Sequence, residues 1–175
     1  MKITRLLLPA LLGAVTLVAL SCGGPTPVGV ESPAPPARAD LFSWSLADGL
    51  LQCTPLPSDS VTQTIGPEGG TLQVGPHTLS VPPGALAAPV SITAVAPSDT
   101  VNRVQFQPEG LTFSQPAALT MSYANCRPLA LGFPKQIAYT TDALEILQYI
   151  LSVDDGSARA VTGRVDHFSD YAVAW

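Results

Sequence analysis

The chain has 175 residues, of which 8 are basic and 13 acidic, giving a formal net charge of −5, and 46% of its residues are hydrophobic. That is enough apolar material for one domain with a buried core. The acidic balance argues against a binder of phosphate backbones, which needs clustered Lys and Arg; Arg38, Arg103, Arg127, Lys135, Arg159 and Arg164 are scattered singly, so no nucleic-acid partner is expected.

At the N-terminus, Lys2 and Arg5 precede an apolar stretch of 15 residues, Leu6 to Leu20. The stretch is too short to cross a bilayer as a stable helix, and a basic start before such a run predicts a signal peptide over residues 1–21. The string Ala19-Leu20-Ser21-Cys22-Gly23 resembles the lipobox of bacterial lipoproteins, with Ala19 where that family usually carries leucine. The resemblance implies cleavage before Cys22 and lipidation of Cys22, and so a membrane partner held through the lipid anchor. Cleavage would remove Lys2 and Arg5, leaving six basic residues against 13 acidic ones, a formal charge of −7. Attraction to an anionic leaflet would then contribute nothing. The acyl chains would do the anchoring, each buried methylene contributing about 0.8 kcal/mol. Gly23 is not the Asp that resembles an inner-membrane retention signal, so the expected location is the cell envelope, at the outer membrane in a diderm host.

Residues 22–40, the anchored Cys followed by GGPTPVGVESPAPPARAD, are rich in Pro and lack hydrophobic periodicity. Such a segment cannot bury enough surface to fold and reads as a tether. At about 3.1 Å per residue in polyproline II, it would reach roughly 55 Å from the membrane. Residues 41–64 begin with LFSWSLADGLLQ, apolar at 41, 42, 44, 46, 50 and 51 without a clean period, and read as a lead-in that packs against the domain that follows.

Beyond Cys53 the chain consists of short alternating runs cut by Gly and Pro: VTQTI, TLQVGPHTLSV, VSITAVA, NRVQF, AALTMSYA, KQIAYT, LEILQYILS, ARAVTGRVDHF and YAVAW. Val, Thr and Ile favour a pleated surface, and the turn residues fall where the chain must reverse. About nine strands at this spacing predict an all-β fold, an antiparallel β-sandwich. LEILQYILS is also compatible with a helix, but the turn Asp154-Asp155-Gly156-Ser157 and the Val- and Thr-rich run after it favour a hairpin. Two cysteines besides Cys22 remain, Cys53 and Cys126, in a compartment outside the reducing cytosol. Neither has a Cys or His neighbour at metal-ligand spacing, and the chain has only two histidines, so a disulfide is expected and a metal is not.

GPEGGTL (66–72), HTLSVPPGAL (77–86), VSIT (90–93), FQPEGLTFSQPAALTMSY (106–123) and HFSDYAVA (167–174) together resemble the ZU-five domain of zonula occludens proteins, ankyrins and netrin receptors, a module found also in secreted bacterial proteins. The resemblance covers residues 65–175. Its motifs are the double glycine at Gly69 and Gly70, the Pro82-Pro83-Gly84-Ala85 turn, and the spaced set Pro108, Gly110, Phe113 and Pro116. Gly69 and Gly70 would allow backbone angles closed to other residues, and Gly84 would reverse the chain before Ala85 and Leu86 return to the core. The resemblance implies a β-sandwich used for protein contacts, with no cofactor and no catalysis.

Three chemical alternatives remain open on the residues. His167-Phe168-Ser169 resembles the self-cleavage motif of autoproteolytic ZU-five and nucleoporin proteins. Ser169 would attack the Phe168 carbonyl by an N-to-O acyl shift, with His167 managing the proton and backbone strain assisting. No G-x-S-x-G elbow supports a conventional hydrolase, and His77 reads as a strand residue. Asp154, Asp155, Asp166 and Asp170 offer oxygen ligands for Ca²⁺, although their spacing matches no known loop. Trp44, Trp175, Tyr139 and Tyr149 would suit a glycan or cell-wall binder if exposed. The first reading is therefore a non-enzymatic, lipid-anchored protein-interaction or structural sandwich, with an unidentified protein or glycan as partner.

Overall fold

Where apolar and polar residues alternate with period two, alternate side chains fall on opposite faces of an extended chain, and each such run here becomes a strand. The structure, a computed structural model, describes residues 49–127 and 132–175. The signal segment, Cys22, the Pro-rich tether and Trp44 lie outside the described residues. Eleven strands form: β1 (Asp59–Ile65), β2 (Gly70–Val74), β3 (His77–Val81), β4 (Val90–Ala96), β5 (Arg103–Gln107), β6 (Thr112–Ser122), β7 (Gln136–Thr140), β8 (Ile146–Ile150), β9 (Ser152–Asp155), β10 (Ala160–His167) and β11 (Asp170–Ala174). They make two antiparallel sheets, one of six strands in the order β1-β4-β5-β11-β7-β8 and one of five in the order β2-β3-β6-β10-β9. The fold is the β-sandwich that the alternation predicts.

Two runs that read as single strands divide. TLQVGPHTLSV is a hairpin, β2 and β3 joined through Gly75 and Pro76, with Leu72 paired to Leu79. LEILQYILS divides at Leu151, because β8 closes one edge of the six-stranded sheet while β9 closes the edge of the other. Pro116 lies within β6 where the register against β10 shifts between Val165 and His167, a break in the ladder that accommodates a residue with no N–H to donate.

The core lies between the sheets. Ile65, Ile92, Val104, Phe106, Ile137, Tyr171 and Val173 point inward from one sheet, and Leu72, Leu79, Phe113, Leu119, Met121, Val161 and Val165 from the other. The chain passes between the sheets at short corners, and the motifs singled out above lie at these corners. Gly69 sits in the β1–β2 corner at φ 76°, where an added Cβ would lie 2.5 Å from the Val81 carbonyl oxygen, so both its conformation and its space require glycine. Gly70 differs from its expected role: it is the first residue of β2 and takes no positive φ. Ala85 and Leu86, after the Pro-Pro-Gly turn, are buried as expected.

Phe168 forms the corner between β10 and β11. Its ring is buried between the sheets, stacked on Phe106 of one sheet at 5.0 Å and edge-on to Phe113 of the other at 5.1 Å, geometries that add to simple area burial.

The Cys53–Cys126 disulfide is present and spans 73 residues of sequence. It fastens the start of the described chain to the end of β6. Around it, the Leu51 N–H donates to the Val173 carbonyl (2.9 Å), Cys53 N–H to Thr100 (2.7 Å) and Arg127 N–H to Gln52 (3.0 Å). Asn102 and Asn125 exchange amide hydrogen bonds of 2.7 and 3.0 Å, and Asn125 also donates to the Thr54 carbonyl at 2.7 Å. Residues 50–54 are thus stitched into the sandwich, and β1 already begins at Asp59, within the lead-in segment.

Two stability predictions follow from these contacts. Replacing Cys53 and Cys126 together with Ser should lower unfolding free energy by about 4 kcal/mol through the larger loop entropy of the unfolded chain, seen as a lower urea midpoint. His77 is buried on β3, and its Nδ1 accepts the Ser122 N–H at 3.2 Å, which requires that nitrogen to be unprotonated. Burial lowers its pKa to about 4. Protonation is thereby resisted in the folded state while the unfolded chain titrates near 6.5. Stability should be complete above pH 6.5 and fall by roughly 3 kcal/mol as pH drops to 4. The urea midpoint of His77→Gln, compared with the parent across that range, should show a correspondingly flatter profile.

Candidate functional site

Three places in the fold carry side chains that could do something other than hold it together: the Phe168 corner, a cleft on the outer face of the six-stranded sheet, and the open edge made by β8 and β9.

At the corner, His167 ends β10 and Asp170 starts β11, so the self-cleavage tripeptide is the connection itself. The Gly110 N–H donates to the Phe168 carbonyl at 3.1 Å, and His167 Nδ1 lies 3.4 Å from the same oxygen. A donor on that carbonyl is what an oxyanion would need. The backbone is nevertheless fastened on both sides of this bond: the Phe168 N–H donates to the Leu111 carbonyl at 2.7 Å, and the Phe106 N–H to the Ser169 carbonyl at 3.3 Å. Among the described residues, the non-glycine positions with positive φ are Leu144 and Arg159, neither of them at this peptide. The Tyr171 hydroxyl donates to the His167 carbonyl at 2.6 Å, and its burial raises the phenol pKa, keeping the donor protonated.

The four aspartates considered for Ca²⁺ are not brought together. Asp154 accepts the Tyr123 hydroxyl at 2.6 Å and the Lys135 N–H at 2.8 Å. Burial and that bond to Asp154 push the Tyr123 pKa up to about 12. Asp155 instead closes the β9–β10 turn, its Oδ1 taking the Ser157 N–H, the Ser157 hydroxyl and the Ala158 N–H. Hydrogen bonding to the Ser157 hydroxyl, then to the Ala158 N–H, lowers its pKa. Asp166 is exposed on β10, and Asp170 sits in the cleft. Among the described residues no group of three or more His, Cys, Asp or Glu is placed to hold a metal.

The aromatic residues also separate. Trp175 stacks on Phe133 at 6.3 Å. Tyr139 is half-buried, edge-on to His167 at 5.1 Å and tilted against Tyr171 at 6.2 Å, so its ring packs within the sandwich. Tyr149 is exposed on β8.

The cleft has a volume of about 400 Å³ and is floored by one row of paired residues. Asp170 lies directly opposite Gln105 of β5 on one side and Thr140 of β7 on the other. Gln105 Nε2 donates to Asp170 Oδ2 at 2.9 Å. Asp142, Glu109, Ser169 and Leu147 stand around this floor. Burial raises the Asp170 pKa, the Gln105 bond opposes the rise, and the neighbouring Asp142 carboxyl adds to it. Sequence reading missed Gln105, Thr140 and Asp142, because their convergence depends on pairing between strands distant in the chain.

At the open edge, Leu147, Tyr149, Leu151 and Val153 are 54%, 45%, 86% and 75% exposed. They alternate along one continuous stretch that rounds the sandwich from β8 to β9, forming an apolar ridge beside two strands that have ladder partners on one side only among the described residues. The period-two pattern was visible in the sequence, but which of its faces would meet solvent was not.

No protein-family model matches the chain, and no curated protein matches it.

The corner geometry yields an expected outcome. With the Phe168 carbonyl and amide both bonded and the ring locked in the core, the chain should remain whole, and intact mass spectrometry should show no fragment ending at Phe168. A species cut between Phe168 and Ser169 would establish self-cleavage instead.

Proposed function

We propose that the protein is a lipid-anchored envelope protein whose ZU-five-like sandwich is a non-catalytic protein-contact module, and that it receives an extended segment of another envelope protein along β8 and β9. The observation that carries this reading is the apolar ridge Leu147, Tyr149, Leu151 and Val153, on sheet edges that have no further ladder partner among the described residues. An unpaired edge is a template for another chain, and soluble proteins blunt such edges with charge or Pro. The opposite edge of the six-stranded sheet differs: β1 exposes Asp59, Ser60, Thr62, Gln63 and Thr64, all polar. Leaving several large apolar side chains in water on β8 and β9 is costly unless something covers them. Main-chain pairing would supply affinity and the alternating ridge side chains would supply selectivity, as in strand addition generally. Exposed Glu145 and Asp155 stand before and after the ridge, favouring a segment with alternating apolar residues and basic ends. The anchor reading rests on Cys22 and the apolar run before it, and the protein-contact reading on the ZU-five-like motifs together with the ridge.

Two experiments test the two halves. Cys22→Ser should shift the protein from the membrane pellet to the soluble fraction of an expressing bacterium, and a variant that stays in the pellet removes the lipid-anchor reading. A photo-crosslinking residue at position 151 should trap a defined envelope protein, whereas the same residue at position 63 on β1 should not. Val153→Glu, added to the chain that carries the crosslinker at position 151, should reduce that adduct at least about tenfold while changing stability by less than about 0.5 kcal/mol, as an exposed position allows. Equal labelling at 151 and 63 would sink the edge reading.

A further inference from the structure

The outer face of the six-stranded sheet carries a second feature that the β8–β9 edge does not explain. At its centre Ala172 and Ala138 are paired, buried and covered by Leu50, Leu144 and Ile146. One row along, the same strands present Gln105, Asp170 and Thr140, which are polar, adjacent and set in the cleft. Thr140 is 1% exposed, and its hydroxyl has no hydrogen-bond partner. A buried hydroxyl left without a partner is a cost on the order of 1–3 kcal/mol, and Thr140 is among the residues that line the cleft, paired with Asp170 and near the Asp142 carboxyl that helps to raise the Asp170 pKa. Three unfavourable features therefore coincide in one place: an orphan hydroxyl, a partly desolvated carboxyl, and a second carboxyl next to it.

The chemistry of the lining narrows what would relieve them. Asp142, Asp170 and Glu109 exclude an anion, and the nearest cation, Arg103, is already held by Asp99 at 3.2 Å and by the Asp142 backbone carbonyl at 3.2 Å. Among the described residues the carboxylates do not form a metal cluster with a third acidic, His or Cys ligand. A neutral molecule bearing several hydroxyls fits a lining in which the Gln105 amide and the Thr140 and Ser169 hydroxyls stand among the carboxyls. Carboxylates accept such hydroxyls in charge-assisted bonds, an amide such as Gln105 both donates and accepts, and Thr140 and Ser169 can do either. Leu147 and Val95, at the margin of the cleft, give apolar surface for the C–H face of a ring, and a volume of about 400 Å³ falls within the range of small-molecule sites.

We infer that this cleft binds a neutral sugar unit, with Asp170, Asp142 and Gln105 taking ring hydroxyls, Thr140 completing its hydrogen bond to the ligand, and Leu147 lying against the apolar face. The site is separate from the β8–β9 edge in every residue but Leu147, and it stands or falls independently of the protein-contact reading. It differs from a glycan platform built on exposed aromatic rings: Tyr139 is engaged in the core, and selectivity comes from carboxyl and amide groups.

The test uses the mature full-length chain and a panel of neutral oligosaccharides (cellotetraose, maltotetraose, chitotetraose, mannotetraose and galactotetraose), with a uronic-acid tetramer and CaCl₂ as comparisons, read by calorimetry and by thermal unfolding. At least one neutral tetramer should bind, and the uronic-acid tetramer should bind at least about tenfold more weakly, as like-charge repulsion requires. Asp170→Asn and Gln105→Ala should each weaken binding about tenfold or more. Thr140→Val, which removes the orphan hydroxyl at constant shape, should leave thermal stability equal or raised and still weaken binding. Failure of every neutral tetramer to bind overturns the proposal, as does binding that Asp170→Asn leaves unchanged, preference for the acidic tetramer, or a response to CaCl₂ alone. Leu151→Glu with Val153→Glu should leave sugar binding intact; its loss there would mean that the two surfaces are one.

Discussion

The sandwich depends on the placement of one ring. Phe168 lies where the chain leaves the five-stranded sheet at β10 and joins the six-stranded sheet at β11, and it is wedged between Phe106 and Phe113, one from each sheet. Neither sheet buries its apolar face alone, so the sheets must stay opposed, and an aromatic corner spanning the gap sets their separation at that end. The disulfide acts toward the other end of β11, where Leu51 bonds to Val173 and Cys53 is tied to Cys126. One constraint works by packing in the folded state and the other chiefly by limiting the unfolded one.

This placement gives the His167-Phe168-Ser169 tripeptide a structural account. A corner between sheets needs a large apolar residue to fill the gap, and its backbone groups need partners outside a regular ladder. Leu111, Gly110 and Phe106 provide them. The same reasoning covers the other motifs. The Gly69 corner, the Pro82-Pro83-Gly84 turn and the Pro108–Gly110 turn are all passages from one sheet to the other, where the chain must turn sharply without a ladder to guide it. Motif similarity in such a chain therefore reports on corners, and only through them on the fold.

Two of the sheet-to-sheet passages in the last third of the chain contrast. At Phe168 the apolar residue turns inward; at Leu151 it turns outward, 86% exposed, in a run of alternating apolar residues. Inward positions on that stretch are taken by Ile150 and by Ser152, whose hydroxyl accepts the Ile137 N–H at 3.1 Å and donates to the Ile150 carbonyl at 2.7 Å. The inner face of the corner is thus satisfied by a hydroxyl, and the hydrophobic cost falls outside. Such an arrangement is unfavourable for a sandwich acting alone and suits one that acts with a partner. The cleft near the other end of β8 has the converse character, with Gln105, Asp170 and Thr140 gathered in one polar row.

Much of the architecture was legible in the chain. Period-two alternation set which residues face inward, because side chains on an extended backbone alternate whatever the surroundings, and Gly and Pro marked the reversals because few other residues adopt those angles. Cys53 and Cys126, the only cysteines after Cys22, identified the bridge by elimination. Pairing between strands far apart in sequence was not legible. Periodicity is silent on whether a long apolar run stays in one sheet, so the division of LEILQYILS at Leu151 emerged only when β8 and β9 found different neighbours. The same holds for Gln105, Thr140 and Asp170, which are 30 or more residues apart yet lie in one row because β11 pairs with both β5 and β7. Alternation is a local property of the backbone and belongs to the sequence; register and sheet order are set by the global competition to bury both faces at once, and that competition is resolved only in the tertiary structure.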